Sequence, residues 1–410
     1  MNKIKTITLG CRFNTYETEI VKSLLKSLDP KDEVVFINTC SVTQQAENQS
    51  KQAVRRAIRE YPGAKIIVTG CTVTTAEEYY KTLNGVYAVI PNDDKTKVSA
   101  YDGIPHNNKN IPGSVSLSEP LFQDRVKAFL QIQCGCDNFC SYCIVPFARG
   151  RSRSMPATEI IRQIQFLIDH EFKEIVLSGI DITSYNDNGM NFNGIIKYIL
   201  ENASALQRLR ISSINPHGID SEFIELMKNP KIMPHLHLSI QSGNNDVLKA
   251  MHRKYSISDL SNIIRELKHT RSDLVLGADV IAGFPTETNE QFEDGFDYIR
   301  NSGISLLHVF PYSPRPGTVA SRMMQLPRNE ILDRAKRLRE LAKELKLKLQ
   351  QNLIGTKISG LVEKCKNGQS FGKCDNYLDF VINNEIPINT VIQNLIVTDV
   401  QDDKLILSQY

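Results

Sequence analysis

The chain has 410 residues, which is length for two or three domains of about 150 residues each. With 41% apolar and 23% charged residues it is not a disordered chain, and no apolar run is long enough to cross a membrane as a helix. The net charge of +3 announces no nucleic-acid partner by itself, and MNKIKTITLG lacks the apolar core and cleavage site of a secretory signal, so a cytoplasmic protein is expected. Nine cysteines, an odd number, then argue for metal ligation or thiol chemistry over a disulfide framework.

In chain order, residues 1–92 read as strands alternating with helices. Strands are expected at Lys3–Leu9, Glu33–Thr39, Lys65–Thr69 and Val86–Ile90, with helices at Thr15–Leu28, Thr43–Tyr61 and Thr74–Leu83. Thr15, Thr43 and Thr74 are candidate N-caps. This spacing indicates an open parallel α/β sheet. Residues 93–124 carry Asn, Asp, Pro and Gly without periodicity and read as a linker.

The alternation resumes over 125–352, with strands near 126–132, 174–177, 208–214, 235–240, 274–280 and 306–310. Long helices between them suggest a partial (β/α) barrel; an open doubly wound sheet is the alternative. A basic helix follows over 328–350, where 321–350 hold nine Lys/Arg against four Asp/Glu. Residues 353–410 show short β-rich runs between turns and read as a small antiparallel barrel.

The cysteines group along this order. Cys136, Cys140 and Cys143 form C-x3-C-x2-C directly after the first strand of the second region. Three clustered thiolates suit a soft metal or an iron–sulfur cluster. A zinc site with Cys134 as fourth ligand is the alternative, disfavoured because Cys134 and Cys136 are only one residue apart. Cys11, Cys40 and Cys71 each follow an expected strand, in TLGC, INTC and VTGC. Loops at the carboxyl ends of parallel strands converge on one edge, so these three can share a metal; three separate small buried residues is the bland alternative.

The C-x3-C-x2-C run on a strand–helix repeat resembles the radical S-adenosylmethionine (SAM) enzymes. That resemblance implies a [4Fe–4S] cluster on Cys136, Cys140 and Cys143, with one iron open to SAM. It implies Tyr142 beside the adenine and Ser178, Gly179 and Asp181 near the methionyl group. Ser239, Gln241 and Gly283 stand at corresponding strand ends, although a glycine after a strand is usually only a turn. TLGCRFNTYETEI, INTCSVT and VTGC are similar to the N-terminal domain of the methylthiotransferases within that class. This implies a second [4Fe–4S] cluster on Cys11, Cys40 and Cys71 to hold the sulfur that is transferred.

LSGIDITSY, LRISSINP, HLHLSIQSGNNDVLKAMHRKY and HVFPYSPRPGT carry the same resemblance over roughly residues 1–350, toward the branch acting on tRNA. It implies methylthiolation at C2 of N6-threonylcarbamoyladenosine at position 37, beside the anticodon, using two SAM molecules per turnover. One SAM methylates the cluster-held sulfur, and the other yields the deoxyadenosyl radical that takes hydrogen from C2. It also implies tRNA, through its anticodon stem-loop, and an electron donor such as flavodoxin or ferredoxin as partners. Family patterns commonly have Glu where this chain has Asn215. Methylthiolation of a ribosomal protein, or a non-catalytic iron–sulfur or zinc RNA-binding module, remain alternatives.

The cofactor carries the difficult step, so no catalytic acid–base residue is expected. His235 and His237 fall on one face of a strand, which suggests packing. Arg149, Arg151 and Arg153, just beyond the second cysteine set, and Arg315 are candidate RNA contacts. The C-terminal region stands where the family has its TRAM domain, yet 354–410 hold five Lys/Arg against seven Asp/Glu, a poor balance for grasping phosphates. Cys134, Cys365 and Cys374 have no assigned chemistry.

Overall fold

The run VVFINT is buried at all six positions, as a parallel strand covered on both faces must be. In the computed structural model, which describes residues 3–107 and 126–408, it is the second strand of a parallel sheet. That sheet comprises β1 (Ile4–Thr8), β2 (Val34–Thr39), β3 (Lys65–Gly70) and β4 (Val86–Val89), in that spatial order. On one face, Val34 and Phe36 pack against Val21, Leu24, Leu25 and Leu28 of α1 (Arg12–Leu28). On the other, Val35 and Ile37 meet Val54 and Ala57 of α2 (Gln44–Glu60) and Val73 and Tyr80 of α3 (Cys71–Lys81).

Two compact units are present, and they do not follow chain order. The first comprises the described part of Met1–Gln123 together with Cys134–Arg153 and Ser313–Ser321; the second holds the rest. The stretch 93–107, expected to be linker, packs into the first unit: Tyr101 and Ile104 join the apolar layer over α1, and Tyr101 Oη donates to the Lys95 carbonyl at 2.5 Å. Residues 108–124 of the expected linker lie outside the described residues.

In the second region β5 (Lys127–Cys134) pairs with a two-residue edge strand β6 (Arg153–Ser154) and with β7 (Glu174–Gly179). A small hairpin of β8 (Asn186–Asp187) and β9 (Met190–Asn191) follows. The parallel series continues through β10 (Arg208–Ile211), β11 (Ser213–Ile214), β12 (His235–Gln241), β13 (Val275–Ala282) and β14 (Leu306–Pro311). Ser212 interrupts it, so two four-stranded sheets are seen, β10-β7-β5-β6 and β11-β12-β13-β14. Six parallel strand positions with intervening helices run through these two sheets, the strand–helix alternation that the sequence suggests.

The C-terminal region is a closed five-stranded barrel of β15 (Lys357–Lys366), β16 (Gln369–Cys374), β17 (Asp379–Ile382), β18 (Val391–Gln401) and β19 (Lys404–Ser408). It is antiparallel except that β17 runs parallel to β19. An odd number of strands in a closed ring forces at least one such pair. Cys374 is wholly buried in this core, where burial pushes its thiol up, and Cys365 donates to the Ile386 carbonyl at 2.9 Å. The barrel is tied to the amino ends of the parallel strands by charge. Glu174, fully buried, accepts from Arg208 Nε and Arg210 Nε at 2.9 Å each, while Arg208 also pairs with Asp375 and Lys127 with Glu363. The carboxyl ends of those strands are left for chemistry.

Candidate functional site

Three sharp loops leave the first sheet on one edge. Cys11 caps the N-terminus of α1, Cys40 follows β2, and Cys71 is the first residue of α3. The expected caps Thr15 and Thr74 therefore lie inside helices, whereas Thr43 does cap α2, accepting from the Ala46 N–H at 3.1 Å. The preceding glycines explain the convergence. Gly10 has φ +93°, and a Cβ there would stand 2.7 Å from Cys40 Sγ. Gly70 has φ +102°, and its Cβ would lie 2.4 Å from the Thr39 backbone N and O. Only glycine combines that backbone conformation with so close an approach.

Cys40 and Cys71 are buried and Cys11 is exposed at the edge of the set. Burial, with smaller contributions from the Cys71 and Cys11 sulfurs, pushes the Cys40 thiol up to about 11. A bound metal reverses such a shift, because its charge stabilises the thiolate. Three soft donors, with side-chain volume cleared at Gly10 and Gly70, fit an iron–sulfur cluster.

Beneath these cysteines lies a polar network that the sequence reading does not assign. Arg149, 2% exposed, donates from Nη1 to Glu17 Oε1 at 2.8 Å and from Nη2 to Asn14 Oδ1 at 2.5 Å. Lys95, 1% exposed, pairs with the other oxygen of Glu17 and donates to Asn92 Oδ1 at 2.7 Å. Asn14 Nδ2 in turn donates to the Leu9 carbonyl at 2.7 Å and the Thr39 carbonyl at 3.0 Å, holding the first two cysteine loops together. Burial opposes ionisation of Glu17, but Arg149 and Lys95 outweigh it and hold the carboxyl below its usual range. Burial likewise opposes charge on Arg149, yet Glu17 and the sulfurs of Cys71 and Cys11 keep it protonated. Burial pulls Lys95 below the usual ammonium range despite Glu17, whereas Arg149 stays charged beside the sulfurs, suited to an anionic thiolate cluster.

The second cysteine set follows β5. Cys143 N–H donates to the Cys140 carbonyl at 3.0 Å, closing a turn, and the Asn138 backbone N–H and Nδ2 each approach Cys136 Sγ at 3.5 Å. N–H groups directed at a sulfur favour its thiolate, so this loop also fits a cluster. A Cβ at Gly135 (φ +75°) would lie 2.0 Å from the Arg151 carbonyl. Cys134, at the end of β5, has the Arg153 guanidinium 3.8 Å from its sulfur.

Tyr142 sits half-buried in the cysteine loop. Ser178 and Gly179 end β7, and Asp181 follows, buried, its N–H donating to Gln133 Oε1 at 2.9 Å. Ser239 lies near the end of β12, and Gln241 closes it with φ +64°, a conformation that a non-glycine residue rarely holds. Ser178 and Gly179, and Ser239 and Gln241, each stand at the carboxyl end of their own parallel strand. Gly283, just past β13, has a further explanation: a Cβ there would lie 2.8 Å from Ile331 Cγ1 of the helix Arg328–Asn352.

Two expected RNA contacts are corrected. Arg149 is buried as described, and Arg315, 2% exposed, donates to Gln44 Oε1 at 3.2 Å and pairs with Glu47. Each guanidinium has an internal carboxylate and a dry setting, so neither meets a phosphate. Arg151 and Arg153 are exposed, beside Asp137 and Asp93.

Residues 130–299 match the Radical SAM superfamily and residues 3–90 the Uncharacterized protein family UPF0004. The fold agrees with that of the radical SAM methyltransferase TsrM from Kitasatospora setae, solved with cobalamin and a [4Fe–4S] cluster. The TM-score is 0.52 at 14% identity, over 77% of each chain. The protein is thus a radical SAM protein with an additional N-terminal α/β domain. The threonylcarbamoyladenosine tRNA methylthiotransferase MtaB of Rickettsia prowazekii is 40% identical, covering 87% of each chain. That of Bacillus subtilis is 37% identical, covering 91% of this chain and 89% of the relative. The chain belongs to the MtaB family of radical SAM tRNA methylthiotransferases. Membership implies SAM and [4Fe–4S] clusters as cofactors and tRNA as the substrate class.

Proposed function

We propose that the protein adds a methylthio group to C2 of N6-threonylcarbamoyladenosine at position 37 of tRNA, giving 2-methylthio-N6-threonylcarbamoyladenosine. The observation that carries this reading is the pair of cysteine sets held in one compact unit, one of them cradled by Gly10 and Gly70. The names of the two MtaB relatives supply the nucleoside.

In this reading Cys136, Cys140 and Cys143 hold the cluster that binds SAM, and Cys11, Cys40 and Cys71 hold the cluster that carries sulfur. When bound, these groups supply the radical and the sulfur for replacing an aromatic C–H that no general base can ionise. The chain's own residues bind and orient. Tyr142, Ser178, Gly179, Asp181, Ser239, Gln241 and Gly283 form the SAM contacts. Arg149 provides fixed positive charge beside the Cys11 and Cys71 sulfurs, in a setting with little water to reorganise. Arg151 and Arg153 remain exposed to meet the phosphates of the anticodon stem-loop. A small one-electron carrier of the flavodoxin or ferredoxin kind serves as reductant, and the reaction takes place in the cytoplasm.

Mass spectrometry of tRNA nucleosides from cells lacking the protein tests this directly. The methylthio group should disappear from threonylcarbamoyladenosine while its unmethylthiolated precursor accumulates. Loss from a different nucleoside, or no loss, overturns the assignment.

A further inference from the structure

His237, Asp279 and His308 stand on β12, β13 and β14, three adjacent parallel strands of the second unit. Asp279 is directly opposite His308, whereas His237 is opposite Gly277, two residues before Asp279. A Cβ at Gly277 would lie 2.6 Å from His237 Nδ1. The missing side chain lets the imidazole lean along the strand toward Asp279. His237 Nε2 comes within 2.9 Å of Asp279 Oδ1, and His308 Nδ1 within 3.2 Å of the same atom. One ligand atom from each residue lies within 4.8 Å of the other two. His237 alternates with the fully buried Leu236 and Leu238, so it shares its strand face with Ser239.

Three further features bear on what the cluster binds. Asp279 is largely buried, its side chain 18% exposed, yet among the described residues no Lys or Arg pairs with it. The His308 side chain is 65% exposed, which leaves one side of the cluster open for a further ligand. Two imidazoles with one carboxylate are a donor set for zinc or ferrous iron, not for calcium or magnesium.

We propose that His237, Asp279 and His308 form a binding site for a divalent transition-metal ion, separate from both cysteine sets and open on the His308 side. His235, which the sequence groups with His237, takes no part: its ring stacks on Tyr377 with centroids 4.5 Å apart.

The test uses the full chain with its clusters reconstituted anaerobically, zinc sulfate as probe, and zinc and iron counted after desalting. The expected result is one more zinc per chain in the wild type than in His308→Ala or Asp279→Asn, at equal iron. Zinc affinity should fall by about 100-fold or more in each variant. His308 is exposed, so its truncation leaves the fold intact. X-ray absorption at the zinc edge of the loaded wild type should show nitrogen and oxygen neighbours at roughly 2.0–2.2 Å. Equal zinc in the wild type and both variants, or sulfur in the first shell, overturns the proposal.

Discussion

Arg149 and Glu17 face each other at 2.8 Å inside the first compact unit, although 132 residues separate them in the chain. Arg149 belongs to the segment just after the C-x3-C-x2-C loop, and Glu17 to the helix that Cys11 caps. One buried ion pair therefore joins the sequence neighbourhoods of both cysteine sets.

Replacing Arg149 by Met removes the bidentate partner of a buried carboxylate. Breaking a buried pair from one side costs about 3–5 kcal/mol. We expect a lowered denaturation midpoint and a loss of iron at the Cys11, Cys40, Cys71 set. Arg149→Lys should fall between the two, because an ammonium cannot bridge Glu17 and Asn14 together. Urea titration with iron analysis checks both, and wild-type values for Arg149→Met would remove the role assigned to this residue.

Gly70→Ala should be more damaging than Gly10→Ala. The two atoms nearest a Cβ at position 70 are the Thr39 backbone N and O, whereas the two nearest at position 10 belong to the Cys40 side chain. In reconstituted Gly70→Ala, iron should drop from about eight per chain to about four. Reductive SAM cleavage, measured as 5′-deoxyadenosine, should survive.

Cys136→Ala should abolish 5′-deoxyadenosine formation. Cys11→Ala should leave that activity measurable yet stop methylthiolation. Methylthiolated product from the Cys11 variant would show that its cluster is not the sulfur carrier.

Acid should weaken the first unit through Glu17. Its folded value lies below the usual carboxylate range, so its stabilisation is complete above about pH 4.5. It fades as the pH falls through the depressed folded value. The gap in melting temperature between the wild type and Glu17→Gln should thus be constant from pH 7 to about pH 5 and narrow on further acidification. A gap unchanged at pH 3 contradicts that assignment.

Arg151→Ala and Arg153→Ala should each weaken tRNA binding, and each should reduce the slope of log affinity against log salt by about one. Filter binding over a salt series measures the slope. An unchanged slope assigns these arginines to Asp137 and Asp93 alone.

Much of this architecture is legible in the sequence because period-two and period-3.6 patterns are local. The strands around Cys11, Cys40 and Cys71 fall within a residue or two of expectation, and parallel topology then brings their ends together. The burial of Arg149 and Arg315 is not legible. In FARGRSRS the three arginines look equivalent, and only the fold selects Arg149 for a carboxylate on a distant helix. Asn14 and Glu17 sit three residues apart on α1, which is a hint, but helices often carry polar pairs facing water. His237 looks like packing for the same reason: its partners come from two other strands.

The make-up of the first unit bears on when it can finish folding. A protein fragment ending at residue 107 would lack Arg149, leaving Glu17 with Lys95 as its ion partner and the floor of the cysteine pocket incomplete. During synthesis the same gap exists for a time. The N-terminal strands leave the ribosome first, but the last piece of their unit, Ser313–Ser321, emerges roughly 200 residues later, a delay of about 10–40 s at ordinary elongation rates. Throughout that interval Cys11, Cys40 and Cys71 belong to an unfinished unit.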